Sequence, residues 1–240
     1  MAARRPMRAF YLTLGIIAVL GAFLIVRQSG LLRPSRSVTE TLASAPVAPM
    51  AGVAATGHVI GSDSAPVEIV EFADFECPSC ARFAILEWPE VQQRLLPSGR
   101  LKWRFMDFPL QGHTASPPAH LAAGCAGEQG RFFEMMDAIF NRQNEWANEG
   151  NPARKIRDYA SQLGLDMSRF DACVETAHAK PAVDADYAEG ERLGVNATPT
   201  FFVNGREWPG VLNYDQIQAI VDSLAPVGGA KPATPPARRK

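Results

Sequence analysis

Along this chain the apolar positions change period, and each change marks a boundary. Ala9 to Val26 run for 18 residues without a charge, between Arg8 and Arg27. As a helix the run spans about 27 Å, close to the bilayer's hydrocarbon thickness of about 30 Å. A helix packed into a soluble core shows polar positions on one face, and this one shows none. The pattern predicts a transmembrane anchor over 9–26 behind a short basic N-terminus, 1–8. Arg4, Arg5 and Arg8 precede the span, so the positive-inside rule leaves the N-terminus in the cytoplasm and exports the rest. The alternatives are a cleavable signal peptide and a twin-arginine signal built on Arg4-Arg5. The apolar run is longer than a signal core of about 7 to 15 residues, and Pro46 directly after Ala43-Ser44-Ala45 hinders cleavage there, which favours an uncleaved anchor. Either route places the remainder in an oxidising compartment where disulfides persist.

From 27 to 56 the chain is rich in Ser, Pro, Ala and Thr with no amphipathic period, and it reads as a flexible tether. A folded domain is expected over 57–225. It opens with a short strand around His58 to Ile60 and a turn through Gly61-Ser62-Asp63-Ser64. Val67-Glu68-Ile69-Val70-Glu71-Phe72 follows as a buried strand. A helix begins at Ala81 and runs through Phe83, Ile85 and Leu86, and Pro89 should kink or end it. Leu101 to Met106 reads as another strand. From 114 to 194 the period becomes helical: Ala119, Ala122, Ala123 and Ala126 form one face; Phe132, Phe133, Met136, Ile139 and Phe140 another; Ile156, Tyr159, Ala160 and Leu163 a third. Gly164 is a C-cap candidate, and Asp166 starts the next helix before Phe170 and Cys173. A strand returns at Phe201-Phe202-Val203, then an Asn204-Gly205 turn and a last helix through Ile217 and Ile220. The tail, 226–240, holds four prolines and ends in Arg238-Arg239-Lys240; it reads as solvated and disordered. About 80 residues of helix between strands exceed one crossover, so a helical subdomain is inserted into an α/β core.

Composition adds little and excludes one class. With 240 residues and 47% hydrophobic content the chain can bury one full core, and a net charge of -1 gives no nucleic-acid footprint. No internal repeat is apparent, and no flavin or nucleotide motif, so no cofactor is expected.

The chemistry sits in Cys77-Pro78-Ser79-Cys80, at the turn from strand to helix. Cys77 falls at the helix N-cap and Pro78 at the first helical position, where a missing amide donor costs nothing. The free amides and positive dipole end of that helix favour a thiolate at Cys77, the candidate nucleophile. Cys80, one turn on and more sheltered, is the candidate resolving thiol, and together they form a candidate redox-active disulfide. Half of a zinc site is the competing reading. It wants a second Cys pair or a Cys/His pair at like spacing, and none is present: Cys125 and Cys173 stand alone, and His58, His113, His120 and His178 form no close pair. No metal is therefore assigned. Glu71 shares a strand face with Val67 and Ile69, so it points into the core, where burial raises a carboxyl's pKa and lets it exchange protons with a buried thiol. The competing reading is an edge-exposed Glu71. Cys125 and Cys173, the other two cysteines of an exported chain, are expected to form a structural disulfide worth about 4 kcal/mol in the chain-entropy model; two buried free thiols or a second redox relay are the alternatives.

The stretch Val70 to Cys80, together with Thr198-Pro199-Thr200-Phe201-Phe202-Val203-Asn204-Gly205, resembles the DsbA-like thiol-disulfide oxidoreductases of the thioredoxin superfamily, over about Gly57 to Leu224. The resemblance implies a thioredoxin fold with a helical insertion, and a catalytic domain on the periplasmic side of a bacterial-type membrane. It puts the superfamily's buried acid at Glu71, six residues before Cys77. It makes Pro199 cis and lays it against the cysteines, where it shapes the substrate groove, and it lets the backbone of Thr198 pair with an extended substrate. An ordinary trans proline is the alternative there. The partners implied are proteins with thiols or disulfides and a membrane redox partner. Net disulfide donation is the expected direction; a reductase or isomerase, or a redox-inert chaperone that uses the groove alone, are the other readings.

Overall fold

The computed structural model describes residues 57–226. The anchor expected at 9–26, the basic segment 1–8, the tether 27–56 and all of the tail beyond Pro226 lie outside the described residues. Among the described residues, no helix is long and apolar enough to cross a membrane.

Five strands form one mixed sheet in the order β1-β3-β2-β4-β5. In chain order β1 is His58–Gly61, β2 Val67–Ala73, β3 Leu101–Asp107, β4 Thr200–Val203 and β5 Arg206–Trp208. The middle strand, β2, pairs parallel with β3 and antiparallel with β4, so Glu71 stands between Phe105 and Phe201. The helices are α1 (Pro78–Leu86), α2 (Ser116–Gly127), α3 (Phe132–Asn141), α4 (Pro152–Gln162), α5 (Met167–Glu175), α6 (Lys180–Leu193) and α7 (Tyr214–Leu224). The helices α2 to α6, with a short helical turn at Gln143–Trp146 between α3 and α4, fill the stretch between β3 and β4, the inserted subdomain.

Period-two alternation sorts the sheet's two faces. Ile69 and Glu71 share theirs with Trp103, Phe105 and Phe201, and α1 closes it through Phe83, whose ring centroid lies 5.6 Å from Trp103 and 5.1 Å from Phe201. On the other face Val70, Phe72, Met106, Phe108, Val195 and Phe202 form one buried cluster. There α6 comes close enough that a Cβ on Gly190 would lie 2.5 Å from the Phe108 ring. The helix after β2 does end before Pro89: α1 stops at Leu86, and the chain re-winds through short turns of α, π and 3-10 geometry from Trp88 to Ser98. Proline cannot donate to a helical bond, so the ladder restarts at each one.

Local signals account for several boundaries. Asp166 caps α5 by accepting from the Arg169 amide, and Asn213 and Gln216 form a reciprocal capping box on α7. The tight β4–β5 hairpin needs positive φ at both of its central residues, and Asn204 (46°) and Gly205 (78°) adopt it.

Candidate active site

The end of β2 and the start of α1 set the two cysteines. Cys77 has extended backbone angles and is the N-cap of α1; Pro78 is the first helical residue. The turn ahead closes by a bond from the Cys77 amide to the Asp74 carbonyl, 3.1 Å, and Gln143 of the insertion donates to the carbonyls of Phe75 and Cys77 at 2.7 and 3.0 Å. Both cysteines are free thiols; Cys77 keeps 6% of its surface exposed and Cys80 none. That asymmetry leaves one sulfur for an incoming partner and shields the other.

The loop before β4 brings Thr198-Pro199 to the same place, with a cis peptide bond between them. The Cys77 thiol donates to the Thr198 carbonyl at 3.3 Å. The Thr198 hydroxyl oxygen is buried without a hydrogen-bond partner among the described residues, and the Thr198 side chain is one of the groups that favour a charged Cys77 sulfur. These contacts, led by the hydrogen bond from Cys80 and joined by Thr198 and the amides of Cys80 and Ser79, outweigh burial and bring the Cys77 thiol down to about 5. Cys80 goes the other way. Burial, its hydrogen bond to Cys77 and the charges of Cys77 and Glu71 hold its thiol well above the ordinary value.

Glu71 is 4% exposed and accepts from the Trp103 indole N–H at 3.2 Å. Burial, countered by that bond and reinforced by Cys77, pushes its carboxyl up to about 8. A carboxyl in that range is protonated at neutral pH and lies within electrostatic reach of both cysteines. Cys77, Cys80, Glu71, Thr198 and Pro199 thus come from three separate stretches to one locus. Cys125 and Cys173 do not join them. They lie on α2 and α5 and are bonded to each other, with an S–S distance of 2.01 Å.

Sequence spacing gave no hint of a second constellation. Two buried aspartates, Asp74 and Asp107, draw in three histidines, His58, His113 and His120, that no sequence motif joins. Asp74 accepts from the Glu76 amide (2.8 Å), the Leu110 amide (2.7 Å), the Ser116 hydroxyl (2.5 Å) and His113 Nδ1 (2.7 Å). Asp107 pairs with His120 Nδ1 at 2.5 Å, and His58 Nε2 lies 3.8 Å from its other oxygen. His120 Nε2 in turn is 4.0 Å from Asp74. Only the first residue of this set lies in the cysteine motif's own approach, so nothing but the fold reveals the rest.

Beside Ser79 a cleft is lined by Arg82, Phe83, Glu87, Val211, Leu212 and Asn213. Ile85, Leu86 and Val211 expose apolar surface on α1 and the β5–α7 loop.

Comparison with known proteins agrees with this geometry. A thioredoxin family model matches residues 54–223. The structure of oxidised BdbD from Bacillus subtilis is 25% identical, covers 70% of this chain and 92% of its own, and superposes with a TM-score of 0.62. A thioredoxin-like oxidoreductase from Silicibacter pomeroyi is 27% identical, covering 69% of this chain and 90% of its own at a TM-score of 0.56. A protein named Na(+)/H(+) antiporter NhaA 3, from Salinispora tropica, is 36% identical over 182 residues, 73% of this chain but 26% of its own length. The chain spans about a quarter of the length of the curated relatives it matches.

Proposed function

This chain belongs to the thioredoxin family, in its DsbA-like branch, and from that premise we propose that it oxidises dithiols of substrate proteins by exchange through Cys77 and Cys80. One observation carries the direction. The sulfur of the less buried cysteine, Cys77, is held at about 5, against about 9 for an unperturbed thiol. At pH 7 a thiol two units below the solution stabilises the reduced enzyme by about a hundredfold, which raises the potential of the pair by about 60 mV. A reduced state stabilised in this way makes the disulfide an electron acceptor.

In the oxidised enzyme a substrate thiolate attacks Cys77 Sγ. The Cys77–Cys80 bond breaks, and Cys80 leaves as a thiolate that takes the proton of Glu71. The second substrate thiolate then attacks its partner sulfur in the mixed disulfide and expels Cys77 as a thiolate. Two electrons pass from substrate to enzyme, and an acceptor must remove them to complete a cycle. The exposed apolar side chains Ile85, Leu86 and Val211 around the cleft beside Ser79 support a protein substrate over a small thiol. Location outside the cytoplasm, with a membrane-bound electron acceptor, is proposed on the apolar run at 9–26 alone. The transport named for the longer relatives belongs to proteins three quarters of which have no counterpart in this match, and it is not proposed for this chain.

The test is the equilibrium of the Cys77/Cys80 pair in glutathione buffers, with dithiol oxidation of a reduced peptide followed alongside. A potential near about -120 mV and loss of oxidation in Cys77→Ser are expected; a potential near about -270 mV overturns the direction and makes the protein a reductase. Oxidation that survives Cys77→Ser overturns the exchange chemistry itself.

A further inference from the structure

We infer that Gln143 is a positioning residue for Cys77: its side-chain amide, reaching from the inserted subdomain onto the carbonyls of Phe75 and Cys77, fixes the backbone rotation that aims the Cys77 sulfur at the start of α1. The inference rests on the exchange reading above and deepens it.

The reactive turn has few bonds of its own. It closes by the bond from the Cys77 amide to the Asp74 carbonyl, and Pro78 has no amide with which to add another. The Cys77 carbonyl opens the helix by accepting from the Ala81 amide at 3.1 Å. Gln143 Nε2 is a second donor to that oxygen, at 3.0 Å, and donates to the Phe75 carbonyl at 2.7 Å. Both hydrogens of one NH2 group are thus spent on two carbonyls of the same turn, and glutamine supplies the two donors without a charge. Among the described residues no other donor reaches the Phe75 carbonyl, and Phe75 is fully buried.

The consequence for the chemistry is rotational. Cys77 ψ is 122°. That dihedral turns the Cys77–Pro78 peptide, and α1 behind it, relative to the side chain on the Cys77 Cα, so it decides how the amides of Ser79 and Cys80 stand to the sulfur. Those two amides are among the groups that favour a charged Cys77. A helix end held by a single bond frays, whereas a carbonyl bound from inside the helix and from outside it keeps its plane. The outside donor is itself braced. Trp146, at the end of the turn that Gln143 begins, is fully buried and donates to the Ile139 carbonyl at 2.9 Å. Arg142 lies over the Tyr159 ring at 4.6 Å and donates to Gln162 Oε1 at 2.6 Å. The insertion therefore presents the amide from a fixed element.

The experiment titrates Cys77 by its alkylation rate against pH in the reduced full-length protein, in wild type, Gln143→Met and Gly190→Ala, with denaturant unfolding measured alongside. Met keeps the length of the side chain without a donor, and Gly190→Ala loosens the fold at α6 without touching the turn. Expected is a Cys77 midpoint raised by about half a unit or more in Gln143→Met, about threefold in the thiolate equilibrium, and unmoved in Gly190→Ala. Loss of stability in Gln143→Met with an unchanged midpoint overturns the inference and marks a merely structural contact; an equal shift in both variants overturns it too. If Gln143→Met does not fold, the wild-type Gln143 NH2 signals are followed by NMR across the Cys77 titration. Signals that move with the Cys77 midpoint support the inference, and signals indifferent to it overturn it. None of these readouts depends on the direction of net electron flow, so they can fail while disulfide donation stands, and hold where it fails.

Discussion

At the residue scale the two cysteines differ because Cys77 caps the start of α1, where 6% of its surface stays exposed, and Cys80 lies inside the first helical turn, fully buried. The largest contribution to the low Cys77 value is the hydrogen bond from Cys80. Cys80→Ala therefore raises the Cys77 midpoint by about one unit or more, and Cys80→Ser, which keeps a donor, by less; alkylation rate against pH reads both. Glu71 gives a stability prediction with a definite sign. Its folded carboxyl is pushed up to about 8 from an ordinary 4.5. Between those values the folded state holds a proton that the unfolded state has lost, so the stability contributed by this group falls steadily as pH rises from about 4.5 to 8. In Glu71→Gln that slope disappears. Relative to wild type, the Gln variant gains stability with pH, on the order of 3 kcal/mol by pH 7, measured by denaturant unfolding at several pH values. A parallel pair of curves would show Glu71 to be unperturbed. Glu71 could be placed from the alternation of one strand because a strand face is a local property. His113 could not. Its partner is Asp74, 39 residues away, and no spacing rule joins the residue after one strand to the loop after the next.

At the element scale the helix least visible in the sequence is α6. Its run Lys-Pro-Ala-Val-Asp-Ala-Asp-Tyr-Ala-Glu-Gly-Glu-Arg-Leu buries Asp186 and Glu189 among its inward positions, so hydrophobic period fails there. Asp186 accepts the Asp107 amide at 3.1 Å and thus takes over where the β3 ladder ends; Glu189 forms a fork with Arg192 at 2.6 and 2.7 Å. Asp186 is inside because it finishes the sheet's own hydrogen bonding, and Glu189 is covered with a partner from its own helix, neither of which a hydrophobicity pattern can encode. Gly190 completes the contact. An added methyl would meet the Phe108 ring at 2.5 Å and Phe72 at 3.1 Å, and Phe108 is stacked on Tyr187 at 4.8 Å and cannot turn aside freely. Gly190→Ala thus destabilises by about 1 to 3 kcal/mol, despite Ala's better helix propensity. Thermal or denaturant unfolding checks it, and an increase in stability would mean that α6 can slide. By contrast the β4–β5 hairpin was plain in Asn204-Gly205, since the required φ values leave few other residues. Asn204 also locks the turn onto β2, accepting from the Glu68 amide at 2.7 Å through its side chain.

At the scale of the whole molecule, the insertion carries its own cross-link and its own hold on the reactive turn. Cys125 and Cys173 join α2 to α5 across 48 positions of sequence, while Gln143, between α3 and α4, reaches the carbonyls of Phe75 and Cys77. A disulfide so placed could act in two ways. It could restrict the unfolded chain alone, or it could exchange electrons with Cys77 and Cys80. The geometry of the site favours the first, because Cys77 and Cys80 gather Glu71, Thr198 and Pro199 about them, whereas the described residues lining the second pair include Glu128, Gln129, Arg169 and His178 and no buried acid. The double variant Cys125→Ala/Cys173→Ala is accordingly expected to lose up to about 4 kcal/mol of unfolding free energy in the chain-entropy model while the Cys77/Cys80 potential and the Cys77 titration stay where they are. A potential that moves by more than about 30 mV, a tenfold change in the equilibrium, would make the second disulfide part of the redox circuit. Loss of stability without movement of the potential leaves it a brace on the subdomain that steadies the reactive turn.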